Sequence, residues 1–299
     1  MGVILRASLV FLGTGTGPFV VGKNLRGAGG IILKIDDNQF HIDPGPGALH
    51  QMASSRINVR ETTAVLASHH HLYHCNDLNA VIDGMTYSGL DKIGVLVCPS
   101  SFVENFPGEN RVGKYPLILR GKYKEFLERV IALEAGQRVG INEIEVLGLA
   151  AEHGCPTIGF KFFTPYFTLA YTSDTRLSAD IVKQLKNANI LVLNVPFFKK
   201  GEGKNNLSVE DAEEIIREVK PNVAILTHFG IEMLKADPLY QAREVQKKTG
   251  VQTIAARDGM EIDLLSYAVD KGQRTLEGFQ VYTLSDKPDD EGAEKTASG

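Results

Sequence analysis

The chain has 299 residues, enough for one large α/β domain or two smaller ones with a substantial core. Its hydrophobic and charged fractions, 43% and 23%, are ordinary for a soluble globular protein. A net charge of −4 argues against binding nucleic acid through a general basic field, and no apolar run reaches the roughly 18–20 residues that a membrane span needs.

Short apolar or alternating runs ending in turn residues predict strands over 9–12, 31–35, 40–42, 63–67, 94–97, 144–149, 159–163, 167–171, 190–195, 223–226 and 253–255. The apolar opening residues lack a signal-peptide cleavage pattern and run into a glycine-rich turn, so they read as a first strand. That turn, Gly13-Thr14-Gly15-Thr16-Gly17, lacks both the Walker Gly-Lys-Ser/Thr and Rossmann spacing. A helical pattern covers 78–85. Ser208 predicts a helix cap, with Asp211 three residues on and Val209, Ala212, Ile215, Ile216 and Val219 at helical spacing before Pro221. Asp237-Pro238 opens a further helix and Gly250 closes it. Residues 102–123 mix Pro, Gly and basic residues and read as a surface insertion. One domain is expected over 1–284, followed by a polar, disordered tail over 285–299. Strands that first crowd together and later alternate with helices predict mixed sheets carrying helices on their outer faces. The cysteines Cys75, Cys98 and Cys155 are odd in number and form no C-x-x-C, which predicts a reducing, cytoplasmic setting and no disulfide framework.

The strongest chemical signal is Ser68-His69-His70-His71-Leu72-Tyr73-His74-Cys75-Asn76-Asp77. Four of the eight histidines of the chain fall within six residues, at the end of a predicted strand. Four imidazoles in a loop cannot all be buried without partners, and imidazole is the commonest metal ligand.

The segment His69-x-His71-x-Tyr73-His74 resembles the His-x-His-x-Asp-His loop of the metallo-β-lactamase superfamily. Four further segments match in the family's order. Phe40-His41-Ile42-Asp43-Pro44-Gly45 resembles the strand and turn whose aspartate supports the metal-binding histidines. His153, in His153-Gly154-Cys155-Pro156-Thr157-Ile158-Gly159-Phe160, resembles the next ligand. Asp174 resembles the metal-bridging aspartate, and His228, in Leu226-Thr227-His228-Phe229-Gly230, the last ligand. The resemblance implies an α/β (α+β) four-layer αβ/βα sandwich of two mixed sheets. It also implies a first metal site of His69, His71, His153 and Asp174, and a second of His74, Asp174 and His228. Three protein ligands leave an open position on a catalytic ion, and two ions about 3.5–4 Å apart activate a hydroxide and stabilise an anionic transition state.

Two positions depart from the family. Tyr73 stands where an aspartate ligates the second metal, and a phenol of ordinary pKa near 10 is a poor ligand unless the metal ionises it. Asn206 stands where many relatives have a histidine that assists proton transfer, and an amide cannot titrate. His70 reads as either part of the site or a solvated loop residue, His41 as a strand residue, and Cys75 and Cys155 as small buried thiols. Lys199, Lys200 and Lys204, with Arg111, Lys114, Arg120, Lys122 and Lys124, form two basic segments that read as solvated faces or as contacts for a phosphate-bearing substrate.

The expected function is metal-dependent hydrolysis of a phosphodiester by a metal-activated hydroxide, with Asp174, Tyr73 and His228 as catalytic candidates. One or two divalent ions are expected, zinc first, with manganese and iron as alternatives. The alternatives in function are an ester, lactone or thioester hydrolase using the same site, and a degenerate metal- or ligand-binding protein. The expected partner is a small-molecule or nucleotide phosphodiester. Nucleic acid is less favoured because no long basic arm is found, no membrane partner is expected, and homo-oligomerisation is left open.

Overall fold

Fourteen strands pair into two sheets in the computed structural model, which describes residues 6–103, 118–119 and 121–268. In chain order they are β1 (Ala7–Phe11), β2 (Ile31–Ile35), β3 (Asn38–Ile42), β4 (Thr62–Leu66), β5 (Val95–Cys98), β6 (Arg129–Ala132) and β7 (Arg138–Ile141). They continue with β8 (Ile144–Ala150), β9 (Ile158–Phe163), β10 (Thr168–Tyr171), β11 (Ile190–Asn194), β12 (Val223–Thr227), β13 (Gln252–Ala255) and β14 (Glu261–Asp263). One sheet has the order β14-β1-β2-β3-β4-β5-β6 and the other β13-β12-β11-β10-β9-β8-β7. Strands β3 to β6 run parallel, as do β10 to β13, and the remaining pairs are antiparallel.

The helices among the described residues are α1 (Pro18–Gly22), α2 (Ala48–Ser54), α3 (Leu72–Cys75), α4 (Leu78–Thr86) and α5 (Gly121–Phe126). Those that follow are α6 (Ala179–Leu185), α7 (Val209–Val219), α8 (Ile231–Lys235) and α9 (Pro238–Thr249). Strand periodicity sorts side chains between layers. Ile190, Val192, Val223 and Ile225 point into the core between the sheets, where they meet Leu9, Phe11, Phe40 and Phe160. Their neighbours Leu191, Leu193, Ala224 and Leu226 pack instead with Ile181, Ile215, Ile216, Ala242 and Val245 of α6, α7 and α9. Val65 and Leu96 likewise meet Leu78, Val81, Ile82 and Met85 of α4 on the other outer face. The four layers implied by the family resemblance are therefore those observed.

Local signals act where they were read. Ser208 Oγ accepts from the Asp211 amide at 3.2 Å, while Asp211 Oδ2 accepts from the Ser208 amide at 2.9 Å, closing a capping box that stabilises a helix start by about 1 kcal/mol. Asp237 caps α9, and Gly250 ends it in the left-handed region at φ 73°. The surface insertion is only partly as expected, because Phe102 and Leu119 are buried in the cluster beneath α4. Residues 104–117 and 120, with Arg111, Lys114 and Arg120, lie outside the described residues, as does the expected tail over 285–299. Residues Met1–Ala268 group as one compact unit. No helix among the described residues is long and apolar enough to cross a membrane.

Candidate metal centre

Parallel strands aim their carboxyl ends, and the loops that follow, at one edge of a sheet. Here the loops after β4, β10, β11 and β12 meet at one place with the loop between β8 and β9. His69 and His71 lie in the loop after β4, and α3 carries His74. His153 follows β8, Asp174 follows β10, and His228 follows β12. All six predicted residues converge. Asp174 Oδ2 lies 3.6 Å from His74 Nε2 and 3.9 Å from both His69 Nε2 and His153 Nε2, while Oδ1 lies 3.3 Å from His228 Nε2. His71 Nδ1 lies 3.0 Å from His69 Nε2 and 3.1 Å from His153 Nε2.

Surrounding groups orient these rings. Asp43 Oδ1 accepts from the Ser68 amide at 2.7 Å; Oδ2 accepts from Ser68 Oγ and His74 Nδ1, each at 2.8 Å, and from the Tyr171 hydroxyl at 2.7 Å. The predicted supporting aspartate thus holds the histidine loop by its backbone and by a ring nitrogen. Ser68 Oγ, having given its proton to Asp43, faces His69 Nδ1 at 3.0 Å and can accept from it. His153 Nδ1 donates to the Asn205 carbonyl at 2.9 Å. Asn194 Nδ2 donates to Asp174 Oδ1 at 2.8 Å and to the Tyr171 hydroxyl at 3.1 Å, which fixes the carboxylate against the cluster.

Those contacts decide whether the residues suit a cation. With the protons of His69 and His153 on Nδ1, their Nε2 lone pairs both face His71 Nδ1, and one ring proton there can serve only one of them. At least one close nitrogen pair is then lone pair against lone pair, which a cation relieves. Imidazole and carboxylate donors around one point are the set divalent transition ions take. A cavity of about 20 Å³ beside them, lined by Asp43, Tyr73, His74, Tyr171, Asn194 and His228, has room for about one water-sized occupant. The residues fit such an ion.

The electrostatics are consistent. Burial, reinforced by the charge of His74, pushes His69 well below its ordinary pKa, and burial followed by His153 brings His71 down to about 4. Burial opposes charge on His74 as well, but the Asp174 and Asp43 carboxylates outweigh it and lift this imidazole to about 10. Burial raises Asp174, yet His228 and His74 more than compensate and hold it well below the usual carboxylate range.

Three residues of the site lie in the left-handed region of backbone space. Asp43, Ser173 and His228 adopt φ values of 54°, 55° and 62°, uncommon for residues other than glycine and typical of functional sites. Gly45 has a steric role. A Cβ there would lie 2.1 Å from the Tyr73 carbonyl oxygen and 2.2 Å from that of Ala28, so only glycine lets the Asp43 turn approach the histidine loop.

Other readings find their places too. His41 is buried in β3 with Nε2 2.9 Å from the Gly29 carbonyl, as a strand residue and not a ligand. Tyr73 lines the small cavity with His74 and His228. Cys155, read as a buried thiol, is buried but also has Sγ 3.9 Å from His71 Nε2, within reach of the histidine group. Tyr171, Asn194 and the Asn205 carbonyl were not singled out in the sequence, although each orients a site residue.

Comparison with known proteins gives the same picture. The family profile described as Beta-lactamase superfamily domain matches residues 38–229. An uncharacterized protein of Methanocaldococcus jannaschii is 29% identical over 265 residues, covering 88% of this chain and 97% of its own. A ribonuclease Z of Methanopyrus kandleri is 22% identical over 295 residues, covering 85% of this chain and 97% of its own. Among solved structures, the metallo-beta-lactamase fold protein YhfI from Bacillus subtilis superposes with a TM-score of 0.70 at 16% identity, covering 86% of this chain and 99% of that one.

Proposed function

Because the chain belongs to the beta-lactamase superfamily domain family, we propose that it is a metal-dependent hydrolase of phosphodiesters. The observation that carries this reading is the convergence of His69, His74, His153 and His228 on Asp174, with His71 against His69 and His153. His69, His71, His153 and Asp174 would hold a first ion, and His74, Asp174 and His228 a second. Zinc is the ion proposed; manganese and iron suit the same donors. When bound, such ions supply a nucleophile at neutral pH and positive charge for an anionic transition state.

The chain's own residues supply the rest. Asp174, pinned by Asn194, keeps one carboxylate between the two groups of imidazoles. Asp43 keeps the His74 proton on Nδ1 and so turns Nε2 inward. Tyr73, in place of a carboxylate at the small cavity, makes the second position the weaker one and leaves a phenol that can give a proton to a leaving group. Asn206 cannot take that part. The name of the Methanopyrus relative, ribonuclease Z, favours a phosphodiester over a β-lactam.

A turnover screen over phosphodiester, phosphonate and lactone substrates, with added zinc, manganese or iron, tests the proposal. Turnover of phosphodiesters, lost in Asp174→Asn, is expected. Faster turnover of lactones would assign an ester hydrolase, and no turnover with bound metal would assign a binding protein.

A further inference from the structure

The loop between β8 and β9 brings a sulfur to the histidines as well as His153. One ring nitrogen from each of His69, His71 and His153 and the Sγ of Cys155 all lie within 4.8 Å of one another. The loop holds Cys155 in place. Pro156 disfavours helical backbone at the residue before it, and Thr157 Oγ1 donates to the Cys155 carbonyl at 2.9 Å. Ile158 N donates to the Ser68 carbonyl at 3.1 Å, which fastens the loop to the residue that precedes His69.

A buried cysteine is ordinarily a small apolar filler. Cys75 and Cys98 fit that role: both pack in the cluster beneath α4, and the Cys75 thiol donates to the His71 carbonyl at 3.3 Å. Cys155 is buried yet belongs to none of the hydrophobic clusters of the described residues. Its hydrogen bonding points the same way. The Thr157 hydroxyl gives its one proton to the Cys155 carbonyl, so at 3.6 Å its oxygen can only accept from the thiol. The sulfur lone pairs then have no donor closer than His71 Nε2, at 3.9 Å, among the described residues. The shared carboxylate meanwhile leans to the other group of ligands. Asp174 lies 3.3 and 3.6 Å from His228 and His74, against 3.9 Å from both His69 and His153.

We infer that Cys155 is a ligand of the first ion, placing a thiolate beside three imidazoles and so selecting zinc over manganese there. This rests on the metal-centre reading of the proposed function and narrows the choice of ion that it left open. The sulfur binds as thiolate, and the thiol proton passes to solvent. Thiolate suits zinc, whereas manganese favours oxygen donors. Zinc can expand to five ligands, so a place for water remains.

The test is the absorption spectrum of the full-length protein loaded with cobalt, an ion that reports its ligands by colour. Sulfur ligation predicts an intense near-ultraviolet band from sulfur-to-cobalt charge transfer, lost in Cys155→Ser and kept in Cys75→Ser. The wild-type spectrum carries the test even if a variant folds poorly. Competition with a chromophoric chelator gives the second readout. Cys155→Ser should weaken zinc by more than the about 10- to 100-fold that loss of an outer-shell partner costs, and manganese by less, so that the preference for zinc falls. Cobalt that binds with visible ligand-field bands but no charge-transfer band overturns the thiolate ligand. So does a band that survives in Cys155→Ser or disappears in Cys75→Ser. Failure of the wild type to bind cobalt or zinc at all overturns the metal-centre reading beneath it, so the two failures are distinguishable.

Discussion

Replacing Asp43 with asparagine removes one negative charge from a group that accepts four hydrogen bonds, from the Ser68 amide, Ser68 Oγ, His74 Nδ1 and the Tyr171 hydroxyl, at 2.7–2.8 Å. Alanine there would leave all four donors buried and unpaired at about 1–3 kcal/mol each, an upper sum of about 4–12 kcal/mol that rivals the whole stability of a domain. Asparagine is the more informative change. Its oxygen can keep the Ser68 amide, and the two hydroxyls can rotate to accept from its NH2. His74 cannot adjust without cost, because its charged ring loses the carboxylate that Nδ1 donates to, and accepting at Nδ1 instead would require it to give up that proton and its charge. We therefore expect a loss of about 2–4 kcal/mol in stability, near 5–15 °C in Tm. Zinc affinity should fall about 10- to 100-fold, as for other outer-shell partners of ligating histidines. Thermal unfolding and competition with a chromophoric chelator measure the two effects. A variant with unchanged Tm and unchanged zinc affinity would refute the role given to Asp43.

Other substitutions separate ligand from scaffold. His71 is partly open to solvent, so His71→Ala should remove most bound metal with only a small change in the Tm of metal-free protein; undiminished metal content by elemental analysis would contradict its assignment. Tyr73→Asp should raise zinc stoichiometry toward two per chain, and wild type already holding two tight ions would show that the phenol is a working ligand. His74, lifted to about 10 chiefly by Asp174 and Asp43 against its burial, is charged in the metal-free protein at pH 7.5 and must lose a proton when a metal takes its nitrogen. Zinc titrations in buffers of different ionisation enthalpy should report about one proton released at that site, and heats independent of buffer would refute it. Gly45→Ala should cost at least about 1–3 kcal/mol, because the new methyl meets two backbone oxygens that cannot move aside; a soluble variant of wild-type Tm would show that the turn has more room than described.

What could be read from the sequence follows from where each element lies. Central strands such as β11 and β12 are buried on both faces and appear as continuous apolar runs. Strands β6, β7 and β14 went unread because they lie at sheet edges with one strand neighbour each, leaving exposed residues such as Arg129, Arg138, Glu261 and Asp263 and little alternation. The metal-centre candidates were legible because their chemistry is in the side chain and their order matches a family pattern. Their supports were less so. Tyr171 ends a strand with an unremarkable sequence, and Asn205 contributes only its carbonyl, a group every residue has. Asn206 stands where relatives have a titrating histidine, and the fold places it at a cavity shared with Asp174 and His228, which its own residue type does not announce.

The most direct test of the central claim is the rate of phosphodiester hydrolysis by one preparation of the full chain, followed as zinc is removed by chelation and then restored. The account predicts turnover that falls to background without metal, returns with about one zinc per chain, and does not return in His71→Ala or Asp174→Asn. Hydrolysis that persists after complete metal removal, or that both variants retain, would contradict it.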